Sequence, residues 1–276
     1  MTKAPRFPLP LDRLHGAGAP QRVGADALLR PQRPLAQAAQ DATRRATPGG
    51  AIQGHGLDSG QVRARMVARL RDRGLDCEPV LRALAEVPRH CFVDSALATQ
   101  AYEDTSLPIG LGQTISKPSV VARMLGLLFD GSHARAAGTL GRTLEIGTGC
   151  GYQTALLALL ATHVVSVERL QALHEKARVN LAERRAQRVR LVFGDGTRGH
   201  APNAPYDSII AAAGGNALPE AWLEQLAIGG RLVAPLADAA TGAQSLVVVD
   251  RGAEGCRRRV YEGVHFVPLR SGVQGT

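Results

Sequence analysis

The sequence predicts an α/β protein, a three-layer α/β/α sandwich with a mostly parallel sheet and an antiparallel C-terminal edge. Three observations predict it. Short apolar runs alternate with helical patterns from residue 143 to residue 236, as right-handed βαβ units require. The first run ends in Gly147-Thr148-Gly149-Cys150-Gly151, a glycine-rich turn of the kind that bends a strand sharply into a helix. The last two apolar runs, 245–250 and 260–267, are joined by a polar stretch with no helical period, which suits a hairpin-like edge.

Residues 1–60 stand apart. Seven prolines and Gly49-Gly50 interrupt them, and no apolar period is sustained, so a disordered extension is expected there. No apolar core follows Lys3 and Arg6, so a secretory leader is not expected. The globular pattern starts near residue 61. Helical spacing of apolar residues runs over 62–70 and 80–84, the second run stopping near Pro88. A polar, glycine-rich stretch covers 103–117. Pro118 then sits as a first-turn proline, with Ser116 as a candidate cap, ahead of a helix through Val120, Val121, Met124, Leu127 and Leu128. The alternating part follows, with strands at 143–146, 163–168, 189–193, 206–213 and 231–236. Helices are expected at 152–161, 169–185 and 219–226.

Composition narrows the class. The 276 residues are 45% hydrophobic, enough for a sizeable core, and no run approaches the roughly 18 apolar residues of a membrane helix. Cys77, Cys91, Cys150 and Cys256 form no C-x-x-C pair, so a zinc ribbon or a redox pair is excluded and reduced thiols in a cytoplasmic protein are expected. The histidines are scattered, and no metal site is expected. The net charge is +9, and 1–60 holds eight of the 33 basic and four of the 24 acidic residues. The basic residues are dispersed without interleaved aromatics, so a solvated surface is favoured over a nucleic-acid footprint.

Three strand ends carry candidate chemistry. Glu145 precedes the loop through Gly147, Gly149 and Cys150. Its G-x-G-x-G spacing departs from the G-x-G-x-x-G of a pyrophosphate loop, and a carboxylate there suits a cationic ligand such as an amino group. Glu168 ends the next strand, where a carboxylate can accept hydrogen bonds from both hydroxyls of a ribose. Asp195-Gly196 follows the third strand, within reach of an adenine amino group. Together these positions describe a class I S-adenosylmethionine methyltransferase, whose cofactor carries a sulfonium, an amino-acid group, a ribose and an adenine but no phosphate.

The segments around these residues narrow the resemblance further. Val87-Pro88-Arg89-His90, Tyr102-Glu103-Asp104, Gly112-Gln113-Thr114-Ile115-Ser116-Lys117-Pro118, Glu145–Tyr152, Gly194-Asp195-Gly196, Tyr206-Asp207, Gly229–Val233 and Val267-Pro268-Leu269 stand in that order. Over about 61–270 the chain resembles the protein-L-isoaspartate O-methyltransferases. The glycine loop is shared by many methyltransferases, whereas the Gln113–Pro118 loop is particular to this family.

The resemblance implies a Rossmann-like methyltransferase domain at 61–276. It implies transfer of a methyl group from S-adenosyl-L-methionine to the free carboxyl of L-isoaspartyl residues in damaged proteins, with repair through a succinimide. It places the active-site serine at Ser116, as an orienting group and not a nucleophile. Gln113, Thr114 and Ile115 join Glu145, Gly147, Gly149, Cys150, Glu168, Asp195 and Gly196 as cofactor contacts. Lys117 reads as a solvated lysine by default. Cys150 stands where relatives often have serine, and Ala213–Asn216 replaces a segment that often ends in proline. The expected partners are damaged proteins, with neither membrane nor nucleic acid, and the expected state is a monomer. A nucleic-acid methyltransferase is the alternative. Enzymes of that class that methylate amino groups commonly carry an Asn/Asp-Pro-Pro-aromatic motif, and here Ala211-Ala212-Ala213-Gly214 stands in its place. A nicotinamide-dependent oxidoreductase is disfavoured by the loop spacing, and a non-catalytic relative by the retained loop and Ser116.

Overall fold

The computed structural model describes residues 60–182 and 188–275. The expected extension lies outside them apart from Gly60, as does the 183–185 end of the helix expected at 169–185.

Helices α1 (Gly60–Asp72) and α2 (Glu78–Glu86) open the described chain. Helix α2 starts with a proline in its first turn and buries Val80, Leu81, Ala83 and Leu84, the one-sided spacing of an amphipathic helix. Two 3-10 turns follow, Arg89–Phe92 and Ser95–Gln100, the second capped by Asp94, which accepts from the Ala96 N–H at 2.9 Å. The glycine-rich stretch, expected only as a loop, forms a two-stranded antiparallel hairpin of β1 (Leu107–Gly110) and β2 (Gln113–Ile115). Helices α3 (Pro118–Phe129) and α4 (Ser132–Ala137) lead into the sheet.

The sheet has seven strands: β3 (Arg142–Ile146), β4 (His163–Glu168), β5 (Val189–Phe193), β6 (Tyr206–Ala211), β7 (Leu226–Ala237), β8 (Gln244–Gly252) and β9 (Gly255–Val264). Their spatial order is β5-β4-β3-β6-β7-β8-β9. The first five are parallel, and β8 and β9 complete an antiparallel edge. The edge is longer than expected, because Gly255–Arg259, expected as a loop, continues β9. That strand is exposed along nearly its whole length, so no alternation marks it.

Helices α5 (Tyr152–Leu160) and α6 (Gln171–Asn180) pack beside α3 on one face, over Val164, Ile210, Val233 and Val248. The other face buries Ile209, Leu232, Val247 and Val249 against Trp222 of the short helix α7 (Glu220–Gln225). The chain winds from β3 through β4 to β5 on one side, then returns to place β6 on the other side of β3. The reversal opens a crevice beyond the carboxyl ends of β3 and β6, where ligands of such sheets bind.

Candidate active site

A cavity of about 370 Å³ occupies that crevice. Its walls come from the ends of three strands (Ile146-Gly147, Val167-Glu168 and Ala212-Ala213), from Gly196, and from the β1–β2 turn. The sheet fixes this floor: Gly147 donates to the Val167 carbonyl at 2.9 Å and Ala212 to the Ile146 carbonyl at 2.8 Å.

Glu168 lies at the floor, 4% exposed. Its Oε2 accepts from the Gly149 N–H and its Oε1 from the Leu170 N–H, both at 2.9 Å. Two main-chain donors therefore hold the carboxylate toward the cavity. Gly149 has φ 56°, and a Cβ there would stand 3.2 Å from Ile109 Cδ1. A Cβ on Gly196 would meet Ile146 Cγ2 at 2.6 Å, so only glycine lets that turn approach the β3 end. The buried Trp222 ring donates to the Gly196 carbonyl at 2.8 Å, so the opposite face of the sheet holds this wall in place.

Of the residues singled out in the sequence, Gln113, Thr114, Gly147, Gly149, Glu168 and Gly196 line the main cavity. A smaller cavity adjoins it through Thr114, Gly147 and Gly149, and is lined by Ile115, Ser116, Cys150 and Tyr152. Among the described residues no hydrogen bond engages the Ser116 hydroxyl. The expected helix cap is not formed: Lys117 is the residue that precedes α3, and Asp104 Oδ1 takes the Ser119 N–H at 2.9 Å. Cys150 is buried, and burial pushes its thiol pKa up, so it is a neutral wall and not a thiolate.

Two expected contacts lie elsewhere. Glu145 is fully buried beneath the glycine loop and lines neither cavity. Its Oε2 accepts from Thr154 Oγ1 at 2.5 Å and Ser166 Oγ at 2.6 Å, and its Oε1 from Gln153 Nε2 at 3.1 Å. Its oxygens are taken up by these side chains; Ser166 sits opposite it across the strand pair and hydrogen-bonds Thr148 of the loop at 2.6 Å. Burial raises its pKa to about 7 despite these donors. Asp195 also stands back from the cavity. Its Oδ1 accepts from the Thr197 N–H (2.9 Å) and hydroxyl (2.7 Å), and its Oδ2 from the Gly272 N–H (2.7 Å). Burial opposes its ionisation, but the bonds from Gly272 and Thr197 outweigh it and hold the carboxyl pKa below its ordinary value.

Sequence reasoning missed the C-terminal wall. Val267–Arg270 and Gln274 line the main cavity, and that segment is pinned by Gly214, by the Arg169 main chain and by Asp195. Val267-Pro268-Leu269 was its one sequence signal. Leu111, at the hairpin tip with φ 54°, was also missed, as were Arg169 and Leu170. The smaller cavity has an unforeseen backing too. Arg89 is fully buried, donates to the Ala101 carbonyl at 2.8 Å and lies 4.8 Å above the Tyr152 ring.

The main cavity suits a nucleoside-sized group: one buried carboxylate faces it, and Gly147, Gly149 and Gly196 bring main chain to its surface. Two arginines line it, but Arg169 Nε is already committed to the Gly272 carbonyl at 3.1 Å.

The chain is similar to known proteins. The family model for protein-L-isoaspartate(D-aspartate) O-methyltransferase matches residues 61–274. A protein-L-isoaspartate O-methyltransferase of Methylibium petroleiphilum is 60% identical over 270 residues, covering 98% of this chain and 97% of its own. That of Leptothrix cholodnii is 58% identical over 276 residues, covering 97% and 94%. A solved protein-L-isoaspartate O-methyltransferase superposes with TM-score 0.68 at 26% identity, over 76% of this chain and 67% of its own. A Plasmodium falciparum structure described as a β-aspartate methyltransferase in complex with S-adenosyl-L-homocysteine shares the fold, with TM-score 0.65 at 22% identity, over 75% and 98%.

Proposed function

We infer how this site works from one premise: the chain belongs to the protein-L-isoaspartate(D-aspartate) O-methyltransferase family. It transfers a methyl group from S-adenosyl-L-methionine to the free carboxyl of L-isoaspartyl residues in damaged proteins. The resulting ester is the starting point of repair. The next peptide nitrogen displaces methanol to close a succinimide, and water reopens the ring partly to normal aspartate.

The observation that carries the site reading is the pair of adjoining cavities. One has the Glu168 carboxylate at its floor, and the other presents the unbonded Ser116 hydroxyl. S-adenosyl-L-methionine supplies an electrophilic methyl group on a sulfonium. In the proposed assignment, Glu168 accepts from the ribose hydroxyls, and Gly147, Gly149 and Gly196 give the cofactor close approach to the backbone. Gln113 and Thr114 close the side nearest the acceptor, and Ile115 and Cys150 form an apolar wall of the smaller cavity. Ser116 donates to the acceptor carboxylate and fixes its direction. The acceptor is already ionised at neutral pH, so the site needs no general base. Its contribution is orientation and exclusion of water. Glu145 and Asp195 act one step back, through the loop and the C-terminal segment they hold.

We extend the proposal to a cytoplasmic monomer whose methyltransferase domain spans 61–276, with 1–60 as an extension. The four free thiols suit a reducing compartment. Among the described residues no helix is long and apolar enough to cross a membrane.

The test is methyl transfer from labelled S-adenosyl-L-methionine to two peptides that differ only in an L-isoaspartyl or L-aspartyl linkage. Base-labile label on the isoaspartyl peptide alone is expected. Equal label on both, or label on neither, would overturn the assignment.

A further inference from the structure

Beside Ser116 lies a second concavity that the methyl-transfer reading does not use. It measures about 440 Å³ and runs between the α1–α2 connection, the first turn of α3 and the end of β9. Arg73, Lys117 and Arg123 line it against two acids, Asp104 and Glu262. Two of the three cations are spent. Arg73 is paired with Asp104, which also holds the Ser119 N–H. Arg123 makes a two-pronged pair with Glu262, at 2.6 and 3.2 Å, and lies 5.5 Å over the Tyr261 ring. Lys117 is left over: it is exposed and has no ion pair among the described residues.

The position of that ammonium gives it a direction. Ser116 lines the acceptor cavity, and the next residue lines the groove. Neighbouring Cα atoms are about 3.8 Å apart, and an extended polypeptide advances about 3.3 Å per residue. A substrate whose isoaspartyl carboxyl meets Ser116 therefore carries its flanking residues past Lys117 within a few positions. The two neutralised pairs frame the groove without attracting either sign of charge, so the unpaired lysine decides its preference.

We propose that Lys117 is a specificity-determining residue that favours substrates with an acidic side chain one to three residues from the isoaspartyl residue. The proposal rests on the carboxyl-methylation reading above and adds a sequence preference to it. An exposed pair in water is weak, so the advantage is about two- to fivefold, carried by KM and reduced by salt.

The test uses the full chain and a set of isoaspartyl peptides, each with a single Glu at one flanking position, against the same peptides with Gln. At one position the Glu peptide is expected to have a KM about threefold lower at equal kcat. The ratio is expected to fall to about one in Lys117→Gln, to persist in Lys117→Arg, and to shrink at high salt. No advantage at any position overturns the proposal, as does one that Lys117→Gln retains. Failure of the wild-type chain to methylate any Gln peptide would instead overturn the carboxyl-methylation reading, and the proposal with it.

Discussion

Glu145 and Glu168 stand near the carboxyl ends of two neighbouring parallel strands, β3 and β4, and both are almost fully buried, at 0% and 4% exposure. Their surroundings differ in kind. Glu145 is enclosed by side-chain donors from Thr154, Ser166 and Gln153 and touches no cavity. Glu168 is held by two main-chain N–H groups and opens onto the main cavity. The difference teaches that a strand-end carboxylate acquires its role from access. Main-chain donors fix a carboxylate in direction and still leave acceptor capacity for a ligand. Side-chain donors on every side turn the same group into a plug beneath the loop.

That contrast breaks most visibly under pH. The Glu145 carboxyl titrates near pH 7 in the folded chain and near 4.5 when free. Its native environment therefore favours the protonated form. The corresponding stability is fully present below about pH 4.5 and is lost as pH rises through 7. The full shift corresponds to roughly 3 kcal/mol. Glu145→Gln removes the titration, so the stability difference between wild type and variant should change by about that amount between pH 4.5 and pH 8. Urea unfolding at the two pH values measures it, and parallel changes in both proteins would mean that Glu145 is not the buried acid described.

Glu168→Ala addresses the open carboxylate. Losing charge-assisted bonds to a ribose should weaken S-adenosyl-L-homocysteine binding by roughly 30-fold, about 2 kcal/mol, with the fold retained. Calorimetry reads this directly. Unchanged affinity would remove Glu168 from the site and leave the contrast without functional meaning.

The parallel half was legible because its strands are short apolar runs and its loop is marked by glycines that only backbone geometry explains. Glu168, Gly149 and Gly196 followed from the same pattern. The hairpin over 107–115 was not, since Pro108, Gly110 and a positive-φ Leu111 read as loop, and the strand pairing that overrides them is not local. Strand β9 was half missed because an edge with both faces wet shows no alternation. The access that separates Glu145 from Glu168 has no sequence signature, for each is a glutamate at a strand end beside small residues. The C-terminal wall was hidden for a related reason. Arg270–Gln274 has no period, and its place is set by donors and acceptors near the ends of β4 and β5, far away in the chain.

Asp195 gives the smallest and most discriminating prediction, because two roles for it make opposite demands. A direct contact would need an oxygen facing the adenine amino group. Instead Oδ1 serves Thr197 and Oδ2 serves the Gly272 N–H, so the carboxylate ties down the C-terminal wall of the cavity. Asp195→Asn weakens that tie by exchanging a charged acceptor for a neutral one, worth less than about 1 kcal/mol at a half-buried site. Affinity for S-adenosyl-L-homocysteine should fall about two- to threefold, and amide exchange at Gly272 should quicken. An analogue lacking the 6-amino group separates the roles. A tether lowers the affinity of both ligands by the same factor, because the wall loosens for each. A direct adenine contact penalises only the ligand that has the amino group. Equal losses would place Asp195 with Glu145, as a carboxylate that shapes the site from behind its wall, and unequal losses would move it beside Glu168.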